Sequence, residues 1–311
     1  MKTFRIFIIL LVTATQLQAQ SLYTSVWGEP QNPAVIFLHG GPGYNAASFE
    51  ATTAAALAES GFFVIAYDRR GEGRSQNMKA AFTFEETNAD LMQLYEKFNL
   101  EKAALLGHSF GGIVATRFAH AHPENVSAVV LVSAPVNLQQ SFAYIIASCR
   151  AIYTARNDTA QLNYLDMLSN MDTSSLPYAS LCLMQAMQNG FYVPQSPDSA
   201  ALVIYDKFKT DSLLIRYSSQ MGFAAPAGFW QQEQYTTIDL LPELRALHDA
   251  GTALYGIYGK EDGLYGADQL GQLNDLIGDT HFLYLDNCSH NVFIDQQQAF
   301  ISALVRWLKK S

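Results

Sequence analysis

The stretch Ala103-Ala104-Leu105-Leu106-Gly107-His108-Ser109-Phe110-Gly111-Gly112-Ile113-Val114-Ala115 decides how this chain is read. A short apolar run, a serine between glycines and a second apolar run describe strand, sharp turn and helix, with Ser109 at the tip. G-x-S-x-G in that setting is a nucleophile elbow, the turn that lifts a serine hydroxyl clear at the end of a buried strand. The glycines are needed because the turn holds a strained backbone and its helix packs close on the strand. The bare pattern occurs by composition in roughly one chain in ten of this length. The flanking strand and helix therefore carry the inference.

Outward from the elbow, the same rhythm continues. Residues 34–38, 62–67 and 128–132 are short, continuous apolar runs with the character of buried strands. Helical patterns over 46–59, 84–99 and 110–120 separate them. Alternation of this kind predicts an α/β protein, with a mostly parallel sheet covered by helices on both faces. After Pro135 the pattern changes: residues 138–235 hold helical segments such as 142–150 and 180–188 and no convincing buried strand. Strands return at 252–258 and 281–285, with helices over 267–276 and 295–308. The expected organisation is a core of residues 21–137 and 236–311, with a helical cap of residues 138–235 inserted over the mouth of the site.

The first 20 residues stand apart from that core. Lys2 and Arg5 precede an apolar run over 6–12, and a polar stretch leads to Leu17-Gln18-Ala19-Gln20. A basic start, an apolar middle and a small residue near the cut predict a secretory signal peptide over 1–20. An uncleaved anchor is the alternative, although the apolar run is short for a bilayer. Export is expected, without a choice between periplasm and medium. Cleavage would leave 17 Lys and Arg against 28 Asp and Glu, a net charge of −11. Such a chain is repelled by nucleic acid and anionic lipid, so neither these nor a membrane is an expected partner. The oligomeric state is left open. Cys149, Cys182 and Cys288 lack metal-ligand spacing, and no metal is expected. A Cys149–Cys182 disulfide and three free thiols both remain open.

A serine hydroxyl becomes a useful nucleophile when a base takes its proton and an acid orients that base. His290, in Asn287-Cys288-Ser289-His290-Asn291, follows the last expected strand. Asp262, in Gly259-Lys260-Glu261-Asp262-Gly263, follows the strand before it. Both stand where open α/β sheets build their sites. Glu261 is the main rival as orienting acid, and Asp286 also lies near His290 in the chain. An oxyanion needs backbone N–H donors. Phe110, directly after the serine, and Gly41, in His39-Gly40-Gly41-Pro42-Gly43, are the candidates. His39 is expected to buttress that loop.

With these residues in place the chain resembles the α/β-hydrolase superfamily, and within it the proline iminopeptidase branch. The likeness rests on the HGGPG loop at 39–43, the stretch Tyr67-Asp68-Arg69-Arg70-Gly71-Glu72-Gly73-Arg74-Ser75, the elbow, Asp262 and His290. It covers residues 30–135 and 240–308. It implies a serine aminopeptidase that works through an acyl-enzyme on a short peptide or other small substrate, with no cofactor. It also implies that Asp68 and Arg70 tie down their loop. Two departures stand out. The usual leading hairpin is shortened to residues 22–27, and the cap lacks an obvious acidic patch for a substrate amine. Glu233 is the nearest candidate for that amine, followed by Asp166 and Asp206. A carboxylesterase or other acyl hydrolase with the same triad is the alternative. A ligand-binding protein without turnover is the alternative from another class. An epoxide hydrolase would want aspartate where Ser109 stands.

Overall fold

The computed structural model describes residues 21–309, so the leader expected over 1–20 lies outside the described residues. The apolar runs become β1 (Thr24–Trp27), β2 (Ala34–Leu38), β3 (Phe63–Tyr67), β4 (Ala103–His108), β5 (Val126–Val132), β6 (Ala253–Gly259) and β7 (Phe282–Leu285). They form one sheet in the order β1-β3-β2-β4-β5-β6-β7. Neighbours are parallel except β1 and β3, which run antiparallel. The shortened leading element is thus a single edge strand.

Continuous apolar strands suit this sheet because helices shield both faces from water. Successive side chains still point to opposite faces. Ile36, Leu38, Ile65, Tyr67 and Leu105 join one core layer, beneath Phe84–Phe98, Phe110–Ala121, Leu241–Asp249 and Ala267–Ile277. Val35, Phe37, Val64, Ala66, Ala104 and Leu106 join the other, against residues 47–59 and Gln297–Leu308. The chain leaves β2 for the second layer and β4 for the first. The crevice between the carboxyl ends of these two neighbours is the topological switch point, where open α/β sheets place ligands.

Two helices depart from expectation. The one over 46–59 is wound in three parts, with a wide π turn at Glu50–Ala54 between Ala47–Phe49 and Ala55–Glu59. The closing helix breaks at Gln296 (φ −133°, ψ 51°) into Val292–Asp295 and Gln297–Leu308.

Between β5 and β6 the chain passes through Leu138–Ala155, Thr159–Ser169, Leu176–Gln188, Ser199–Thr210, Ser212–Tyr217 and Ala224–Glu233. Asn137, Asp158, Ser175 and Asp198 each start one of these helices by accepting a first-turn N–H, from Gln140, Gln161, Tyr178 and Ala201. Short polar side chains are favoured there because they satisfy donors that the helix itself leaves free. The two ends of the insertion meet at a bridge between Asn137 and Asp239. Leu240 N–H reaches Val136 O at 2.7 Å, and Leu138 N–H reaches Ile238 O at 3.1 Å. All three cysteines are buried and free. Burial pushes the thiols of Cys149 and Cys182 up to about 11 and about 12.

Candidate active site

Ser109 sits at φ 53°, ψ −124°, a backbone region that L side chains rarely occupy. Its N–H bonds to Val132 O at 3.0 Å, and its carbonyl accepts Gly112 N–H at 2.8 Å as the helix begins. A Cβ on Gly111 would stand 2.0 Å from Leu38 O, and one on Gly40 would stand 3.1 Å from Ser109 Cβ. The elbow therefore touches the end of β2, which side chains at these positions would prevent. Gly41, Ser109 and Phe110 border one cavity. The N–H groups of Gly41 and Phe110 make no hydrogen bond within the described residues.

His290 borders the same cavity. Its Nδ1 lies 3.0 Å from Asp262 Oδ2, with both side chains buried. Leu264 N–H donates to the other Asp262 oxygen at 3.1 Å. With Asp262 ionised, Nδ1–H is the donor and Nε2 keeps its lone pair. Glu261 instead accepts Gln195 N–H, and Asp286 pairs with Lys260 at 2.8 Å on the surface. The imidazole of His290 is enclosed by Tyr192, His108 and Tyr265, at ring separations of 5.0, 4.9 and 6.0 Å. His108 is neutral, because burial and the neighbouring His290 push it down to about 3. Its Nε2–H donates to the His290 carbonyl at 3.1 Å.

The loop after β2 rests on a buried ion pair. Arg69 and Glu72 meet at 2.8 Å. Arg69 also donates to the carbonyls of His39 and Gly40, and its guanidinium lies 5.2 Å from the Phe110 ring. Glu72 accepts Gly43 N–H at 2.6 Å. His39 buttresses the same loop: Nδ1–H donates to Gly40 O at 2.8 Å and Nε2 accepts Arg69 N–H at 3.1 Å. Burial, with the charge of Arg69, holds His39 well below the usual imidazole range and so neutral. Asp68 accepts Ala46 N–H and Arg74 N–H at 2.8 and 2.7 Å, while Arg70 pairs with Asp90 on the helix Phe84–Phe98.

The cavity holds about 570 Å³. Its inner wall includes Ile113, Phe142, Ile145 and Leu264, and half-exposed Met187 and Met221 stand at the mouth. None of its lining residues is Asp, Glu, Lys or Arg. A segment of the insertion straps across to the loop after β2. Gly222 N–H reaches Gly43 O at 2.7 Å, Tyr44 Oη–H reaches Ser218 O at 2.7 Å, and Asn45 Nδ2–H reaches Tyr217 O at 2.9 Å. A second depression, of about 380 Å³ beside Thr280 and Trp307, lies at the opposite end of β7 and holds none of these groups. Among the described residues no cluster of His, Cys, Asp and Glu could hold a metal ion.

Glu233 is not brought to the cavity. Its Oε1 accepts Phe84 N–H at 2.7 Å and so caps the helix Phe84–Phe98. Asp166 pairs with Arg150 and Asp206 with Lys209, both at the surface. Replacing Glu233 with alanine is expected to lower stability by about 1 kcal/mol, as loss of a cap does. The same change should leave KM within about twofold, since no substrate contact is lost. Urea unfolding beside ester kinetics measures both. Several supporting residues escape sequence reasoning: Arg69, Glu72, Tyr192, Tyr265 and Asp295. Arg69 and Glu72 lie in the stretch 67–75, which does not by itself tell their roles, and no short motif marks the other three.

A sheet of this topology, with its reactive groups gathered at the switch point, is the scaffold of the α/β hydrolases. The family model described as the alpha/beta hydrolase fold matches residues 33–297, and the chain belongs to that family. Epoxide hydrolase B of Mycobacterium tuberculosis is 34% identical over 109 residues, covering 34% of this chain and 30% of that protein. Proline iminopeptidase of Neisseria meningitidis is 32% identical over 120 residues, covering 37% and 38% of the two chains. This chain thus spans about a third of the length of the curated relatives it matches. A crystal structure of a proline iminopeptidase-related protein from Thermus thermophilus superposes with a TM-score of 0.63 at 22% identity. It covers 92% of this chain and 94% of the other, a likeness of fold.

Proposed function

We propose that this chain is an exported serine hydrolase that cleaves uncharged carboxylic esters through an acyl-enzyme. One observation carries the choice of substrate: the cavity at Ser109 and His290 is lined without a charged side chain. An apolar acyl group loses little on entering it, whereas an ammonium group would lose its water and find no carboxylate. In the proposed cycle Ser109 Oγ attacks the ester carbonyl while His290 Nε2 takes its proton. The carboxylate of Asp262 stabilises the imidazolium, and the N–H groups of Gly41 and Phe110 hold the oxyanion. The alcohol leaves with the proton from His290. Water, deprotonated by His290, then releases the carboxylic acid and restores Ser109. Epoxide opening, the activity in the mycobacterial relative's name, calls for a carboxylate nucleophile where this chain has Ser109. Export rests on the leader pattern of residues 1–20.

An aminopeptidase of proline iminopeptidase type is the second reading, favoured by the HGGPG loop at 39–43 and the Neisseria relative. The two readings part on one comparison. The probes are p-nitrophenyl butyrate and proline β-naphthylamide, each read as kcat/KM. The ester is expected to be preferred by at least about 100-fold, the scale of an uncompensated buried charge. Efficient amide cleavage that collapses when the proline nitrogen is blocked would overturn the ester reading in favour of the aminopeptidase.

A further inference from the structure

At the break, the adjacent side chains of Asp295 and Gln296 reach the base loop and the insertion. Asp295, 1% exposed, accepts the N–H of Ser289 on Oδ2 at 2.8 Å. Ser289 directly precedes His290. The other oxygen of Asp295 accepts the hydroxyl of Tyr205, on the insertion helix Ser199–Thr210. Beside it, Gln296 Nε2–H donates to Asp198 Oδ2 at 3.1 Å, and Asp198 caps that same helix through Ala201 N–H at 2.8 Å. One insertion helix is therefore bonded to two adjacent residues, Asp295 and Gln296, and the first of these also holds the loop of the base. Asp262 holds the imidazole ring of His290, and Asp295 holds the backbone that carries it.

We infer that Asp295 is a positioning residue for His290 and that, through Tyr205, it makes the placement of the insertion helix and the aim of the base a single adjustment. The inference rests on the serine-hydrolase reading of the site. A backbone N–H and a phenol O–H are both donors, so the residue between them must accept twice. A carboxylate does so without rearrangement. The groups facing Asp295 are Tyr205, Ser289 N–H, His290, Asp262 and Cys288. Burial pushes its carboxyl up to about 6, against the pull of Tyr205, Ser289 N–H and His290 and with the push of Asp262. A negative charge on Asp295 favours the imidazolium form of the neighbouring His290.

The test uses the full chain with Tyr205→Phe, Asp295→Asn and Asp295→Ala. Readouts are kcat and KM for p-nitrophenyl butyrate from pH 5 to 9, labelling of Ser109 by a fluorophosphonate, thermal melting, and amide exchange over residues 287–292. Asp295→Ala is expected to lower kcat about 30-fold, the scale of a small misplacement of a reacting group, with KM within about threefold. Asp295→Asn keeps one acceptor and turns an N–H toward Tyr205, so most of kcat should return. Its acid limb of kcat/KM should move to lower pH, because a negative charge beside His290 is gone. Tyr205→Phe keeps the ring and the fold, yet should lower kcat and speed exchange over 287–292.

Variants that lose only melting temperature, with wild-type kcat, pH profile and exchange, would overturn the inference. If Asp295→Ala fails to fold, Tyr205→Phe decides it. Should the wild type neither cleave the ester nor take the label, the hydrolase reading falls, and unchanged exchange in Tyr205→Phe would separately sink the coupling.

Discussion

Ser109→Ala is expected to lower kcat on p-nitrophenyl butyrate by about 10⁴-fold or more, leaving thermal melting within a degree or two of wild type. The loss is large because the oxygen that would form the acyl-enzyme is gone, and water is a poorer, unpositioned substitute. The fold survives for a geometric reason. Alanine keeps the Cβ that the φ 53° turn already accommodates, so no new strain enters. The hydroxyl makes no hydrogen bond on which the elbow depends, since the turn is held by Ser109 N–H on Val132 O and by Gly112 N–H on Ser109 O. Residual turnover should remain from Gly41 and Phe110, whose N–H groups are untouched. Stopped assays on protein checked by circular dichroism make the comparison. Wild-type turnover in this variant would remove Ser109 from the chemistry altogether.

Exchanging Arg69 for methionine is expected to cost about 3–5 kcal/mol of stability, because it strands Glu72 as an unpaired charge in the interior. Both side chains are almost fully buried, at 2% and 0% exposed, so water cannot take over the role of the lost partner. Activity should fall as well, by about 100-fold, the scale of losing one oxyanion donor. Arg69 holds the carbonyls of His39 and Gly40 directly upstream of Gly41 and lies against the ring of Phe110. Both proposed oxyanion donors are therefore set by the one guanidinium. The double variant Arg69→Met with Glu72→Leu separates the effects. Removing both charges should return much of the stability. Activity should stay low, because Gly43 N–H has then also lost its acceptor. Urea unfolding and ester kinetics on the two variants provide the measurements. Full activity in folded Arg69→Met would reduce the pair to scaffolding.

Local pattern explains why some of this was legible in the sequence. β2 to β6 are continuous apolar runs because both faces are covered, and that same property makes them visible one strand at a time. Ser109 and Asp262 follow such runs and His290 follows the last strand, β7, so chain order alone places them at one end of the sheet. Glu233 shows the limit. Its setting among Phe229, Trp230 and two glutamines describes the chemistry of a helix but not its direction, and the carboxylate turns away from the cavity to Phe84. Asp295 was hidden for another reason. The break at Gln296 carries no glycine or proline to announce it, so residues 295–308 read as one helix with an unremarkable aspartate in its first turn. Arg69 was passed over between Asp68 and Arg70, although it pairs with Glu72 only three residues on. Its own partners include two backbone carbonyls 29 and 30 residues away.

The insertion leaves and re-enters the core side by side, at a seam where Asn137 faces Asp239, and by chain path alone it is a detachable module. A foreign set of helices could be spliced there without breaking a strand. The strap of residues 217–222 makes such a graft harder than the seam suggests. The donor module would also have to supply a hydrogen bond to Gly43 O and acceptors for Tyr44 and Asn45, on the loop that carries Gly41. Recombination within this family is therefore constrained beyond the seam, and libraries that shuffle the helices should carry residues 39–45 and the pair Asp295 and Gln296 with them.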